Sequence, residues 1–278
     1  MKIIFNSKSH SYTSGKKRKY SSVSSLIGKY KKPYNKEYWS KYKAYQRILG
    51  DDEFKKLKKG FVFEDESLFD YLNQFINPKE VSKVTKEILK EWTDKKDKSI
   101  IKGNDYHTFK ENQAIATGLC YNQFLKKDFP TVQSTIITNK NNIEYREPTV
   151  DNLFDLQDGF HPELILWNND HLLAGQADKV YIETIDGVRY VDIDDYKTNE
   201  EIKKSNYFGK MLDPLSHLDC CNYNHYRLQI STYAWMLEQA GYVVRNTAFT
   251  HLNKPYIFDY MKSDVKLMLG IDPYADLI

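Results

Sequence analysis

The stretch HPELILWNNDHLLAGQADKVYIETIDGVRYVDIDDYKTN, residues 161–199, decides the fold, because it has the pattern of three successive strands with charged residues on otherwise apolar faces. Side chains alternate between the two faces of a strand, so Asp178 belongs to the apolar face of the second strand, and Asp195 and Lys197 to that of the third. Glu163 lies on the first strand. If the second and third strands pair, Asp178 and Asp195 lie about 5 Å apart and repel each other by about 4 kcal/mol at an effective dielectric constant of about 20. We therefore expect a positive group between them.

A hard divalent cation such as Mg²⁺ meets this requirement, because it binds carboxylate oxygens and usually takes further ligands from water and phosphate. The substrate is then expected to be a phosphodiester. Lys197 lies two residues beyond Asp195 on the same face, so its ammonium group can reach a metal-bound water or a phosphate oxygen while Asp195 binds the metal. This gives the spacing of Asp195, Tyr196 and Lys197 a chemical reason.

The composition predicts a folded cytosolic protein. The 278 residues include 22 Tyr and 14 Phe, which supply apolar area for a large core. No run is long and apolar enough to span a membrane, and the start MKIIFNSKSH lacks the apolar centre of a secretory signal. The three cysteines, Cys120, Cys220 and Cys221, form neither a disulfide framework nor the usual four ligands of an iron–sulfur cluster.

The small net charge of +3 hides an asymmetry along the chain. Residues 1–102 carry 25 Lys and Arg against 13 Asp and Glu, whereas the remainder carries 16 against 25. A basic half of this kind favours binding to a polyanion, but it is equally typical of a solvated, Lys-rich helical surface. The aromatic residues between the lysines of residues 29–47 shift the balance modestly towards nucleic acid, since rings stack on bases.

The order of patterns predicts an α/β fold, in which a central mixed β-sheet is flanked by helices. We expect residues 1–102 to form an N-terminal hairpin and a mainly helical basic lobe, and residues 103–278 to form the core. The expected elements are a hairpin turning at Ser14 and Gly15, a helix near Ser25, helices around 36–49, 67–76 and 78–92, a separate helix over 104–125, strands between 130 and 198 with 133–138 on the outside, a helix over 223–240 and a strand over 243–252.

Seven residues in five short motifs resemble the site of a known enzyme superfamily. They are His107 in GNDYHTFKE, Glu163 in HPELILW, Asp178 in LAGQADKV, Asp195 and Lys197 in IDDYKT, and Gln229 and Tyr233 in YRLQISTY. In type and order they resemble the PD-(D/E)XK nuclease superfamily, in particular its RecB-like and lambda-exonuclease-like branch, which is often found in bacteriophages. The opening SHSYTSGKKRKYSSVSSLIGKY also resembles the N-terminal hairpin of phage members.

The resemblance implies a restriction-endonuclease-like core and a deoxyribonuclease dependent on Mg²⁺ or Mn²⁺, most simply an exonuclease in phage DNA replication, recombination or repair. It implies DNA as partner, with a phage recombination or replication protein as a further one, in the cytoplasm of the host. Asp178, Asp195, His107 and the backbone carbonyl of Tyr196 are then metal ligands, and Glu163 binds a second ion or orients a water. Lys197 positions that water, while Gln229 and Tyr233 contact the phosphate or hold Lys197.

Two departures from the family pattern stand out. Ala177 precedes Asp178 where the superfamily name has Pro, and three acids, Asp192, Asp194 and Asp195, crowd one strand, so that Lys197 alone selects Asp195. A register slip of one residue would turn Asp194 outward instead.

Other interpretations remain open at this stage. Taken singly, Asp195 and Lys197 are typical of an edge-strand ion pair, His107 and Glu111 of a surface pair on a helix, and Gln229 of a core amide. The alternative functions are a nucleic-acid-binding module without catalysis and a scaffold with a vestigial site. Strand polarity, oligomeric state and the number of metal ions are not encoded in these motifs.

Overall fold

The computed structural model describes residues 3–15, 18–206 and 209–273 and divides the chain into two compact units. The first unit comprises residues 1–32 and 103–278, and the second comprises residues 33–102. The strands are β1 (Ile3–Asn6), β2 (Ser11–Ser14), β3 (Lys19–Ser22), β4 (Leu119–Asn122), β5 (Lys127–Pro130), β6 (Thr135–Lys140), β7 (Ile143–Pro148), β8 (Gly159–Asn168), β9 (Leu173–Ile185), β10 (Val188–Asp194), β11 (Tyr196–Lys197), β12 (Val243–His251) and β13 (Lys254–Phe258). The helices are α1 (Val23–Gly28), α2 (Lys36–Leu49), α3 (Asp51–Leu57), α4 (Ser67–Leu72), α5 (Pro78–Thr117), α6 (Asn222–Gln239) and α7 (Lys262–Leu269).

The first unit is built on a large mixed sheet, which confirms the predicted α/β class. Its strand order is β11-β12-β10-β9-β3-β2-β1-β7-β6, with β13 beside β12 and β8 beside β9. The pairs β10–β12, β11–β12 and β3–β9 are parallel, and the other pairs are antiparallel. Strand β6 ends the order, as expected for the outer strand. Strands β4 and β5 form a separate hairpin.

The antiparallel pair β9–β10 sets the geometry of the candidate site. Asp186 and Gly187 connect the two strands with φ angles of 49° and 77°, and two positive φ angles in a two-residue turn suit the right-handed twist of a hairpin. The ladder that follows pairs Val180 with Ile193 and ends with Lys179 opposite Asp194. Continued by one residue, the same register sets Asp178 opposite Asp195.

Helix α6 covers one face of this pair and closes the main core. Its buried residues include Leu228, Ile230, Ala234 and Leu237, and the helix packs against β8, β9, β10 and β12. The predicted helix over 223–240 and strand over 243–252 therefore agree with the structure to within one residue at each end.

The helix predicted over residues 104–125 is wrong in both of its ends. Helix α5 runs without interruption from Pro78 through Gly103 and stops at Thr117. Gly118 has a φ angle of 68°, and a glycine in this left-handed region is a common helix end. Gly103 does not end the helix, because a single glycine lowers helix stability by only about 1 kcal/mol.

The second unit is helical, with a small aromatic core of its own. Its buried apolar residues are Tyr38, Ala44, Tyr45, Phe54, Leu68, Phe69, Leu72, Ile76, Val81 and Ile88. The positive excess expected of this lobe lies mostly elsewhere: residues 33–102 carry 16 Lys and Arg against 13 Asp and Glu, whereas residues 1–32 carry nine against none. Residues 1–32 group with the main sheet because β3 pairs with β9.

Within the described residues, no helix has both the length and the apolar character needed to cross a membrane.

Candidate functional site

Three of the predicted site residues converge on one point of the first unit. His107 on α5, Glu163 on β8 and Asp178 on β9 each place one ligand atom within 4.8 Å of the other two. The Nδ1 atom of His107 lies 3.1 Å from Oδ1 of Asp178 and 3.4 Å from Oε1 of Glu163. Asp178 is buried, and the other two side chains are partly exposed. We call these three residues the acid–histidine cluster.

The backbone of β8 is distorted where it supplies Glu163. The ladder between β8 and β9 is interrupted at Glu163 and Asp178, which face each other across it. Glu163 has a φ angle of 48°, a left-handed conformation that costs a non-glycine residue about 1–2 kcal/mol. Gln176 donates a hydrogen bond of 2.8 Å to Oε2 of Glu163 and so orients this carboxylate. Local strain of this kind is concentrated at functional sites.

A second group lies beside the cluster and centres on Lys197. The Lys197 ammonium forms an ion pair with Oδ2 of Asp195 and donates a hydrogen bond of 3.2 Å to Oε1 of Gln229. Gln229 in turn donates to the hydroxyl of Tyr233 over 2.9 Å. The ring of Tyr226 lies 4.6 Å from the ammonium nitrogen. Helix α6 therefore holds Lys197 from one side and Asp195 holds it from the other.

Gly175 allows Tyr233 to approach the sheet. A Cβ atom at position 175 would lie 2.5 Å from Cε1 of Tyr233, which is closer than real contacts allow. Only glycine leaves room for this ring, so the motif LAGQAD includes a steric requirement as well as the acid Asp178.

Asp195 lies opposite Asp178 in register but is not a member of the acid–histidine cluster. The backbone N–H of Tyr196 donates to Oδ2 of Asp178 over 2.6 Å and links the two groups. Burial, followed by the Asp178 carboxylate, raises the pKa of Asp195 to about 6, although the Lys197 ammonium opposes this rise. A neighbouring acid in a desolvated region thus disfavours the ionisation of Asp195.

The pKa values of His107 and Lys197 are raised as well, and for these two bases the rise favours the charged form. Burial lowers the pKa of His107, but the carboxylates of Asp178 and Glu163 outweigh burial and raise this pKa to about 11. Burial likewise lowers the pKa of Lys197, and Asp195 and Asp178 outweigh it, so that the net shift is upwards. Lys197 therefore remains protonated and acts as a fixed positive charge.

The donor atoms of the acid–histidine cluster fit a hard or borderline divalent cation. Carboxylate oxygens are the ligands that Mg²⁺ and Mn²⁺ prefer, and imidazole nitrogen is accepted by Mn²⁺ among other metals. A protonated His107 and the fixed charge of Lys197 are the positive groups that the site itself supplies to its three carboxylates.

The crowding of three acids on β10 is resolved by strand parity. We define the site face of β9–β10 as the face of Asp178 and Asp195, and the back face as the opposite one. Asp192 lies on the back face and accepts from Arg245 over 2.7 and 3.0 Å. Asp194 lies on the back face as well and pairs with Lys179. Neither acid points to the site.

Some alternatives from the sequence are contradicted. Glu111 does not form a surface pair with His107; it is buried and accepts two hydrogen bonds of 2.9 and 3.0 Å from Arg146. Sequence reasoning did not assign roles to Gln176 or Tyr226. The sequence pattern could have indicated both residues, because Gln176 shares a strand face with Asp178 and Tyr226 lies three residues before Gln229 on α6.

No protein-family model matches this chain, and no curated protein matches it at a significant level.

Proposed function

We propose that the protein is a Mg²⁺- or Mn²⁺-dependent deoxyribonuclease with a restriction-endonuclease-like core. The observation that supports this most is the convergence of His107, Glu163 and Asp178 beside a lysine that Asp195 and Gln229 hold in place. These residues come from five elements, α5, β8, β9, β11 with the residue before it, and α6, and their order along the chain is that of the superfamily. An isolated edge-strand ion pair would not need the other members.

The roles of the residues follow from their contacts. His107 as the neutral imidazole, Glu163 and Asp178, together with the neighbouring Asp195 and the Tyr196 carbonyl, would hold the metal, and the proton of His107 would be released on binding. A divalent ion at such a site lowers the pKa of a water and neutralises phosphate charge. Lys197, protonated and held by Asp195 and Gln229, stabilises negative charge that develops on the phosphate. Burial lowers the pKa of Lys197, but Asp195 and Asp178 outweigh burial and raise it, which favours the charged form of this lysine.

The basic segment of residues 1–32 supports a polyanionic substrate. It carries nine Lys and Arg and no acid, and Lys8, Arg18 and Lys19 are exposed. Contacts between such residues and phosphates weaken steeply with salt. Exonuclease action, a role in phage DNA replication, recombination or repair, and a phage recombination or replication partner in the host cytoplasm rest on the resemblance alone.

The decisive experiment compares cleavage of end-labelled linear duplex, circular duplex and single-stranded DNA in Mg²⁺, in Mn²⁺ and in EDTA. We expect metal-dependent cleavage, with linear substrates degraded and circular ones spared if the enzyme is an exonuclease. Substitution Lys197→Ala should lower the turnover rate by about 10²- to 10³-fold, as loss of one preorganised positive group does, while DNA binding remains.

Lys140→Ala is the matched control, because Lys140 is exposed on the outer strand β6. Its turnover rate should equal that of the wild type. Salt-sensitive DNA binding without cleavage in any metal would instead support the binding module, and unchanged turnover in Lys197→Ala would exclude the role given to this lysine.

A further inference from the structure

Lys179 and Asp194 form a buried ion pair directly behind the candidate site. Each is the chain neighbour of a site acid: Lys179 follows Asp178, and Asp194 precedes Asp195. The two residues are cross-strand partners in the ladder of β9 and β10, and both side chains are buried on the back face. We propose that this ion pair is a positioning device, which holds Asp178 and Asp195 opposite each other for metal binding. The inference rests on the proposed function.

Asp194 is tied to the backbone that carries Asp195. Its Oδ1 atom accepts the N–H of Asp195 over 2.8 Å. The Thr250 hydroxyl lies 3.0 Å from Oδ1 and 2.9 Å from Oδ2, and Gln123 donates to Oδ2 over 3.0 Å. The N–H of Thr250 also donates to the carbonyl of Asp195 over 2.8 Å. Thr250 therefore contacts both Asp194 and the backbone of Asp195, so that the two move together.

Lys179 is held in the same way on the other strand. The ring of Tyr196 lies 4.4 Å from its ammonium nitrogen, at a distance where a cation is attracted to an aromatic face. The N–H of the same Tyr196 donates to Asp178. Tyr196 thus contacts Lys179 with its ring and Asp178 with its backbone, and it links the two faces of the sheet.

The pair is placed where the ladder would otherwise open. The pairing of β9 and β10 ends at Lys179 and Asp194, and the next residues along it are two acids that repel each other. An attractive ion pair at the last rung opposes that repulsion through the backbone. Groups of this kind, which orient ligands without touching the metal, typically change metal affinity or activity by about 10- to 100-fold when they are removed.

A matched pair on the same face provides the control. Asp192 is buried on the back face and pairs with Arg245, which is partly exposed, but Asp192 is two residues further from the end of the ladder. Its loss should destabilise the fold without moving Asp195.

The experiment compares Asp194→Asn and Asp192→Asn by calorimetric titration with Mn²⁺ and by hydrogen exchange of the Tyr196 amide, measured by NMR in the metal-free protein. In Asp194→Asn we expect Mn²⁺ affinity to fall by about 10- to 100-fold and the Tyr196 amide to exchange faster. In Asp192→Asn both readouts should match the wild type, even where the melting temperature falls. Thr250→Val, which removes one hydroxyl contact to Asp194 and keeps the shape, should show the Asp194→Asn effects in weaker form and replaces that variant if it fails to fold.

Equal effects of Asp194→Asn and Asp192→Asn on both readouts, or no effect of either, would overturn the inference. A wild-type protein that neither binds Mn²⁺ nor cleaves DNA would instead overturn the proposed function. In that case the exchange of the Tyr196 amide still decides whether the ion pair positions the strand ends, since this readout needs no metal.

Discussion

The two faces of the β9–β10 pair carry the same number of acids but different numbers of cations. The back face and its surroundings match three acids with three fixed cations, whereas the site face matches three acids with one fixed cation and one histidine. The back set is Glu183, Asp192 and Asp194 with Lys127, Lys179 and Arg245; the site set is Glu163, Asp178 and Asp195 with Lys197 and His107.

The difference shows which face needs a further cation. On the back face Arg245 and Lys127 outweigh the effect of burial and lower the pKa of Glu183. On the site face burial and a neighbouring acid raise the pKa of Asp195. An acid whose charge is compensated by cations of the protein favours its charged form. An acid without such compensation favours protonation or the binding of a further cation. The same pair of strands therefore has a structural side and a chemically unsatisfied side.

The largest effects are expected from neutralising one acid on each face. The substitution on the site face should mainly lower activity, and the substitution on the back face should mainly lower stability. Asp178→Asn removes a ligand, so we expect cleavage to fall by about 10³-fold or more. Metal-free stability should change little, because relief of the repulsion from Asp195 offsets the lost ion pair with His107. Asp192→Asn removes the buried charge that Arg245 contacts, although Arg245 keeps its ion pair with Glu183, and we expect the free energy of unfolding to fall by about 1–3 kcal/mol. Urea denaturation in EDTA and single-turnover cleavage measure the two effects.

The proposed difference between the two faces would be disproved if Asp178→Asn destabilised the metal-free protein as much as Asp192→Asn does. Both substitutions are isosteric and lie on adjacent strands, so differences in side-chain volume do not enter. The same cleavage assay, corrected for the folded fraction, should show that Asp192→Asn retains the wild-type turnover rate.

Much of the arrangement of the site face could be predicted from the sequence, because it depends on local rules, namely side-chain alternation and turn geometry. Strand parity and the Asp186–Gly187 turn are sufficient to set Asp178 opposite Asp195. The stripe of α6 placed Gln229 and Tyr233 on one face. The back face was not accessible, because the partners of Asp192 and Asp194, such as Arg245 and Thr250, lie more than fifty residues away in the chain. Strand parity separates Asp195 from Asp192 and Asp194, but only the tertiary contacts show which cations and donors the two back-face acids bind.

Two features of the overall fold were missed for a related reason. Weak local preferences suggested a break at Gly103, but the helix continues to Thr117, because one glycine costs it only about 1 kcal/mol. The grouping of residues 1–32 depends on the pairing of β3 with β9, a contact between segments about 150 residues apart that no local pattern reports. Charge counted along the chain therefore gave a basic lobe where the structure has a basic segment on the main sheet.

An intermediate effect is expected from overpacking the space that Gly175 leaves for Tyr233. Gly175→Ala places a Cβ atom 2.5 Å from Tyr233, and overpacking of this kind costs about 1–3 kcal/mol. Because Tyr233 supports Gln229, and Gln229 contacts Lys197, the turnover rate should fall along with the melting temperature. Gly103→Ala is the control: its new Cβ has an ordinary contact of 3.5 Å with Thr198, and alanine stabilises a helix by about 1 kcal/mol relative to glycine. A Gly175→Ala protein with wild-type turnover would show that Tyr233 does not support Lys197.

The smallest expected effect is a pH dependence of stability that arises from Glu183 on the back face. The pKa of Glu183 is lowered in the folded state by Lys127 and Arg245, which outweigh burial. The unfolded chain therefore binds a proton more readily than the folded one. The resulting stabilisation is present above the unfolded pKa of about 4.5 and is lost as the pH falls through the folded value. Since Glu183 is partly exposed, we expect Glu183→Gln to lower the free energy of unfolding by only about 0.5–1 kcal/mol at pH 7.

The difference between wild type and Glu183→Gln should shrink as the pH is lowered below about 4, because the wild-type acid then becomes neutral as well. Asp186→Asn tests the specificity of this effect, since Asp186 is exposed in the turn of the same hairpin, three residues further along the chain. Its stability should follow the wild type at every pH in urea denaturation. If the free energy of unfolding of Glu183→Gln instead equalled that of the wild type at every pH, the ion pairs of Glu183 would contribute nothing to stability. The stabilising ion pairs of the back face would then be those of Asp192 and Asp194 alone.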